Sequence, residues 1–137
     1  MVTTFSKYFF YTLVTVSINV SSNPQMNTQP DQIIINQILE GNTQAFSLLV
    51  ERYKDLVFTL VLRMLKNREE AEEVSQDTFI KVYRSLTKFK GQSKFSTWVY
   101  RIAYNTSLDR IKRNKKHQRV VEINEITEHQ VKTIDNA

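Results

Sequence analysis

Residues 45–65 read Ala-Phe-Ser-Leu-Leu-Val-Glu-Arg-Tyr-Lys-Asp-Leu-Val-Phe-Thr-Leu-Val-Leu-Arg-Met-Leu, and the placing of their apolar side chains decides the fold class. Phe46, Leu49, Val50, Tyr53, Val57, Leu60, Val61 and Met64 fall at steps of three and four. That is the period of one face of an α-helix, not the two-residue alternation of a strand. A stripe this long must be covered by partner elements, so the flanking sequence is expected to supply further helices.

Working outward, the punctuation agrees. Gly41 and Gly91 are the only glycines, and Pro24 and Pro30 the only prolines, so nothing between Asp31 and Lys116 except two glycines breaks a helix. A sheet protein of 137 residues would need several tight turns rich in Gly, Asn-Gly or Pro. The expected architecture is therefore all-α, a compact bundle of three long helices and one short one in a single domain over residues 31–116.

Four segments fit that expectation. Asp31 is suited to be an N-cap after Pro30, and Ile34, Ile35, Ile38 and Leu39 recur at helical spacing until Gly41. The 45–65 helix follows, with Asn42-Thr43 available to cap its start. Asn67 and Glu70 form a capping-box variant ahead of a third helix with inner residues Ala71, Val74, Phe79, Val82 and Leu86. After the basic stretch Thr87–Ser93, the residues Phe95, Trp98, Val99, Ile102, Ala103 and Thr106 line one face of a fourth helix, expected to end near Lys115. Residues 117–137 lack a second long apolar period and read as a linker.

Residues 1–30 differ in character, with Lys7 their one charge and an apolar, β-branched run from Tyr8 to Val20. The run is too short to span a bilayer as a helix, and it imitates a secretory signal with a poor cleavage pattern. The preferred reading is a disordered or mis-annotated leader, with Met26 as the authentic start.

Charge narrows the function. The net charge is +5, but residues 91–116 carry seven Lys/Arg against Asp109 alone, whereas residues 117–137 carry two against four acids. A locally basic surface suits a polyanion. The chain has no cysteine, hence neither disulfides nor thiolate zinc ligands, which fits a reducing cytoplasm, and His117 and His129 stand apart near the C-terminus. No paired catalytic carboxylates, metal-ligand spacing, Gly-rich phosphate loop or Ser/His constellation stands out, so neither an enzyme nor a cofactor is expected.

Three passages in order resemble region 2 of the sigma-70 family, in its small extracytoplasmic-function branch. Gly41-Asn42-Thr43-Gln44-Ala45-Phe46 with Leu49-Val50 and Tyr53 is similar to the family's Gly-Asn/Asp-x-x-Ala-Phe-x-x-Leu-Val-x-x-Tyr. Arg68–Arg84, with Glu73 and Gln76-Asp77-Thr78-Phe79, resembles its polymerase-binding helix. Phe95-x-x-Trp98-Val99-x-x-Ile102-Ala103-x-Asn105 with Asp109 resembles its promoter-melting helix.

The resemblance implies a transcription initiation factor that binds core RNA polymerase and recognises and melts the minus-ten promoter element by capturing the non-template strand. Glu73, Gln76 and Asp77 would grip the coiled coil of the polymerase's largest subunit. Lys88, Lys90, Lys94, Arg101, Arg110, Lys112 and Arg113 would meet phosphates, Tyr100 and Tyr104 would stack on bases, and Asn105 would bond a base edge or phosphate. Trp98 is expected to be structural first and a melting wedge second. An anti-sigma factor is a further partner the resemblance allows, and membrane insertion is not expected. Such proteins normally continue into a second helical domain that reads the upstream promoter box, and the linker would lead toward one. Two rivals stand beside this reading: a truncated sigma-like regulator that occupies polymerase without supporting initiation, and a free duplex binder using the basic fourth helix.

Overall fold

The computed structural model describes residues 28–135. These form four α-helices and two short 3-10 turns, with no strand among the described residues. Helix α1 spans Asp31–Leu39, α2 Phe46–Leu65, α3 Arg68–Arg84 and α4 Phe95–Asp135. The 3-10 turns are Thr43–Ala45, leading into α2, and Leu86–Lys88, following α3. The all-α bundle with three long helices and one short one is as the sequence predicts. The apolar run 8–20 and the start at Met26 lie outside the described residues.

Each boundary has a local cause. At the end of α1, Gly41 takes a φ of +112°, a left-handed conformation open to glycine. Its N–H then donates to the Ile38 carbonyl at 3.1 Å, and that of Asn42 to the Gln37 carbonyl at 2.9 Å. This paired closure satisfies carbonyls that the helix itself leaves without partners. Between α2 and α3 the turn is abrupt: Lys66 is left-handed at φ +59°, and its N–H closes on Leu62 at 2.8 Å. Asn67 follows in extended conformation and caps α3, its side-chain oxygen accepting from the Glu70 N–H at 3.0 Å.

Helix α2 lies against both α3 and α4, which also pack on each other, while α1 covers α2 near the 3-10 turns. The core is built from Ile34, Ile35 and Ile38, then Phe46, Leu49, Val50, Val57 and Val61, then Ala71, Val74, Phe79 and Val82, closed by Leu86, Phe95, Val99 and Ala103. Ala71 and Ala103 are fully buried, where a small side chain leaves room for neighbouring helices to approach. Hydroxyls within the core bond back along their own helices, Thr78 to the Val74 carbonyl and Ser107 to the Ala103 carbonyl, both at 2.8 Å.

Three local expectations are corrected. Pro30, not Asp31, is the N-cap of α1. Asp31 sits inside the first turn, and its carboxylate instead accepts from Arg52 at 2.6 Å and from the Tyr53 hydroxyl, tying α1 to α2. Asn42-Thr43 make no side-chain cap. Leu39 is exposed, since the left-handed turn at Gly41 follows directly and leaves it beyond the bundle's edge.

The largest difference concerns α4, which continues through 41 residues to Asp135 where the sequence reading ends it near Lys115. The apolar period ends where burial ends: residues 117–133 are exposed throughout, Val120, Ile123, Ile126 and Val131 included. Neither Gly nor Pro occurs after Gly91, so nothing in the chain interrupts the backbone hydrogen bonds once α4 has begun.

Candidate nucleic-acid and protein-binding faces

The first face is built on α3. Asn67 starts the helix, and Ala71, Val74, Thr78 and Phe79 turn inward. That register carries Glu70, Glu73 and Asp77 to the surface beside α4. The structure brings Glu73, Gln76 and Asp77 together on one side of α3, as their spacing predicts. Glu73 and Asp77 expose 49% and 40% of their side chains, and Gln76 is half-buried.

Arg110 is the residue the sequence reading misplaced. The basic run of α4 places it on a cationic track, but its guanidinium lies among the α3 acids, with only 15% of the side chain exposed. Nη1 donates to Glu73 Oε2 at 3.2 Å, Nη1 is 4.0 Å from Glu70, and Nη2 is 3.8 Å from Asp77. One turn further along α4, the Asn114 amide donates to both Glu70 oxygens at 3.0 and 3.3 Å. Glu70 therefore faces Asn114 rather than reaching back to close a capping box. Asn114 itself went unremarked in the sequence. The signal was present: Arg110 follows Ala103, Thr106 and Ser107 at steps of seven, four and three, and these three are buried.

The second face is built from the 86–94 connection and the outer side of α4. Phe89 anchors the connection by packing against Phe95 and Trp98, with ring centroids 5.2 and 5.3 Å apart. Phe95 and Trp98 are themselves 5.6 Å apart, and Phe95 meets Tyr53 edge-on at 5.5 Å. Trp98 thus sits at the edge of the core, as expected from its spacing. Gly91 turns the chain at φ +71°. Lys88, Lys90 and Lys94 are exposed around this anchored loop.

On α4, Tyr100 and Tyr104 are 44% and 43% exposed, one turn apart and away from the buried face. Arg101, Asn105, Lys112 and Arg113 are exposed as well. Arg101, Tyr104, Asn105 and Lys112 follow at steps that keep them on one outer side. Among the described residues no carboxylate lies within ion-pair distance of Lys88, Lys90, Lys94, Arg101, Lys112 or Arg113. Cations and flat aromatic groups therefore share an exposed surface, the combination that accommodates phosphates and unstacked bases.

Among the described residues no group of three or more His, Asp or Glu could hold a metal ion, and no helix is long and apolar enough to cross a membrane. Tyr53 carries a perturbed phenol: burial, then the hydrogen bond to Asp31, raise it above the ordinary tyrosine range. It belongs to the α1–α2 tie rather than to either face.

Comparison with known proteins agrees with this geometry. The family Sigma-70 region 2 matches residues 49–117, the span from α2 to the last buried turns of α4. The chain is 44% identical over 81 residues to the ECF RNA polymerase sigma factor SigW of Bacillus subtilis, covering 59% of this chain and 43% of that protein. It is 40% identical over 82 residues to the RNA polymerase sigma-H factor of Pseudomonas aeruginosa, covering 60% and 42%. It is 44% identical over 77 residues to the ECF RNA polymerase sigma-E factor of Escherichia coli K12, covering 56% and 40%. The chain thus spans less than half the length of these relatives. Among solved structures, an engineered region 2 of sigmaE in complex with GTAAAA superposes with a TM-score of 0.62 at 37% identity, covering 69% of this chain and 96% of that one. From the bundle, its two faces and these matches it follows that the chain belongs to the sigma-70 region 2 family, in the extracytoplasmic-function branch.

Proposed function

We propose that this chain acts in the cytoplasm as a non-catalytic transcription initiation factor, joining core RNA polymerase to promoter DNA. Helix α3 presents Glu73, Gln76 and Asp77 to the coiled coil of the polymerase's largest subunit, where carboxylates gain charge-assisted hydrogen bonds from a basic partner. The connection before α4 and the outer side of α4 receive the non-template strand of the minus-ten element. Lys88, Lys90, Lys94, Arg101, Lys112 and Arg113 serve its phosphates, Tyr100 and Tyr104 its bases, and Asn105 a base edge or phosphate.

The observation that carries this reading is the separation of two faces of unlike chemistry on one rigid bundle. The acids lie along α3, and the cations without carboxylate partners lie with two exposed tyrosines beyond the other side of α4. The likeness to a sigmaE region 2 solved with GTAAAA supports the assignment of the second face to DNA.

The test is a pull-down of core polymerase by the full chain. Replacing Gln76 and Asp77 together by Ala is expected to weaken retention while circular dichroism stays unchanged; equal retention removes the α3 assignment. Retention with suppressed transcription from a responsive promoter would favour a regulator that occupies polymerase without initiating.

A further inference from the structure

Arg110 stands at the junction of the two faces and serves neither as the sequence suggests. Its side chain is more deeply placed than any of the three acids it meets: 15% exposed, against 31% for Glu70, 40% for Asp77 and 49% for Glu73. The cation thus lies inside and the carboxylates outside, so a partner approaching α3 meets the acids first.

Glu70, Glu73 and Asp77 are spaced three, four and seven residues apart, a like-charged row that repels itself on a helix surface. A single planar guanidinium beneath the row offsets that repulsion, and its forked donors favour fixed carboxylate directions. Asn114 draws Glu70 toward the C-terminal side of the cluster, leaving Glu73 and Asp77 as the pair that Arg110 spans. Each carboxylate offers two oxygens and about four lone-pair sites, so an inner arginine and an outer cation can be accepted at once.

We propose that Arg110 is a positioning residue for the acidic face of α3: it holds Glu73 and Asp77 from beneath in the orientation that a basic helical coiled coil binds, and it makes no contact with promoter DNA. The inference rests on α3 being the polymerase-binding face. It also makes α4 a shared part of both functions, its inner side setting the protein contact while its outer side meets the nucleic acid.

The experiment measures affinity of the full chain for the coiled-coil fragment of the polymerase's largest subunit, at a temperature where every variant is folded by circular dichroism. In parallel, affinity for a panel of single-stranded oligonucleotides is measured by fluorescence anisotropy. Arg110→Met is expected to weaken coiled-coil binding about fivefold, Arg110→Lys to fall between it and wild type, and oligonucleotide affinity to stay within about twofold. In an Asp77→Asn background the effect of Arg110→Met should shrink, because the two act through one contact.

A purely structural staple would lower the melting temperature and leave the affinity of the folded protein unchanged, which would overturn the proposal. So would tighter coiled-coil binding, which would make Arg110 a competitor, or a loss confined to the oligonucleotide. If Arg110→Met does not fold, Arg110→Lys, measured alone and in the Asp77→Asn background, carries the same decision. Failure of the wild-type chain to bind the fragment would overturn the α3 assignment along with the proposal.

Discussion

Replacing Trp98 by Ala separates its role in packing from any role in opening DNA. The indole lies 5.3 Å from Phe89 and 5.6 Å from Phe95, centroid to centroid, and is only partly buried. Removing a large aromatic from a full core costs about 3–5 kcal/mol. Since part of Trp98 faces water, roughly half applies, about 2 kcal/mol. For a domain near this size that corresponds to a fall in melting temperature of about 10 °C. Phe89 loses one of its two ring contacts, so the 86–94 connection should loosen and oligonucleotide affinity should fall with it. Trp98→Phe retains a ring in the cluster and should recover most of both quantities. The assays are thermal unfolding followed by circular dichroism, and anisotropy titration of a single-stranded oligonucleotide well below the transition. An unchanged melting temperature with a large loss of oligonucleotide affinity would instead make Trp98 a contact residue with no part in packing.

Three further outcomes follow from the geometry. Because Tyr53 has a raised pKa in the fold, the unfolded chain ionises first, and stability should decline as pH rises above about 10; Tyr53→Phe should flatten that decline, as read by chemical denaturation across alkaline pH. Asn67→Ala removes the α3 cap and should cost about 1 kcal/mol in the same assay, and an unchanged stability would remove Asn67 as the cap that holds α3. Oligonucleotide affinity should fall steeply with salt, and Lys94→Ala or Arg101→Ala should each reduce the slope of log K against log salt by about 0.7; an unaltered slope would remove that side chain from the phosphate path.

Much of the bundle was legible in the residues. Buried positions from Ile34 to Ala103 follow helical spacing, and Gly41 and Asn67 carry the backbone chemistry of a stop and a start. What escaped the sequence was decided by tertiary partners. Asp31 is a good N-cap in isolation, yet Arg52 and Tyr53, a helix away, claim its carboxylate. Glu70 is a good capping-box acid, yet Asn114 reaches it from α4. Charge alone groups Arg110 with its basic neighbours, although its register with Ala103, Thr106 and Ser107 turns it inward. The end of α4 is hidden for the opposite reason. A helix without a buried face leaves no apolar period to read, and only the lack of breakers hints that it continues.

The decisive experiment titrates one set of oligonucleotides, as single strands and as duplexes, into the full chain with and without core RNA polymerase. The chain is expected to bind core, and the assembled complex to prefer a single strand over the matching duplex by about tenfold or more. Equal affinity for duplex and single strand, or DNA binding by a chain that ignores polymerase, would contradict this expectation.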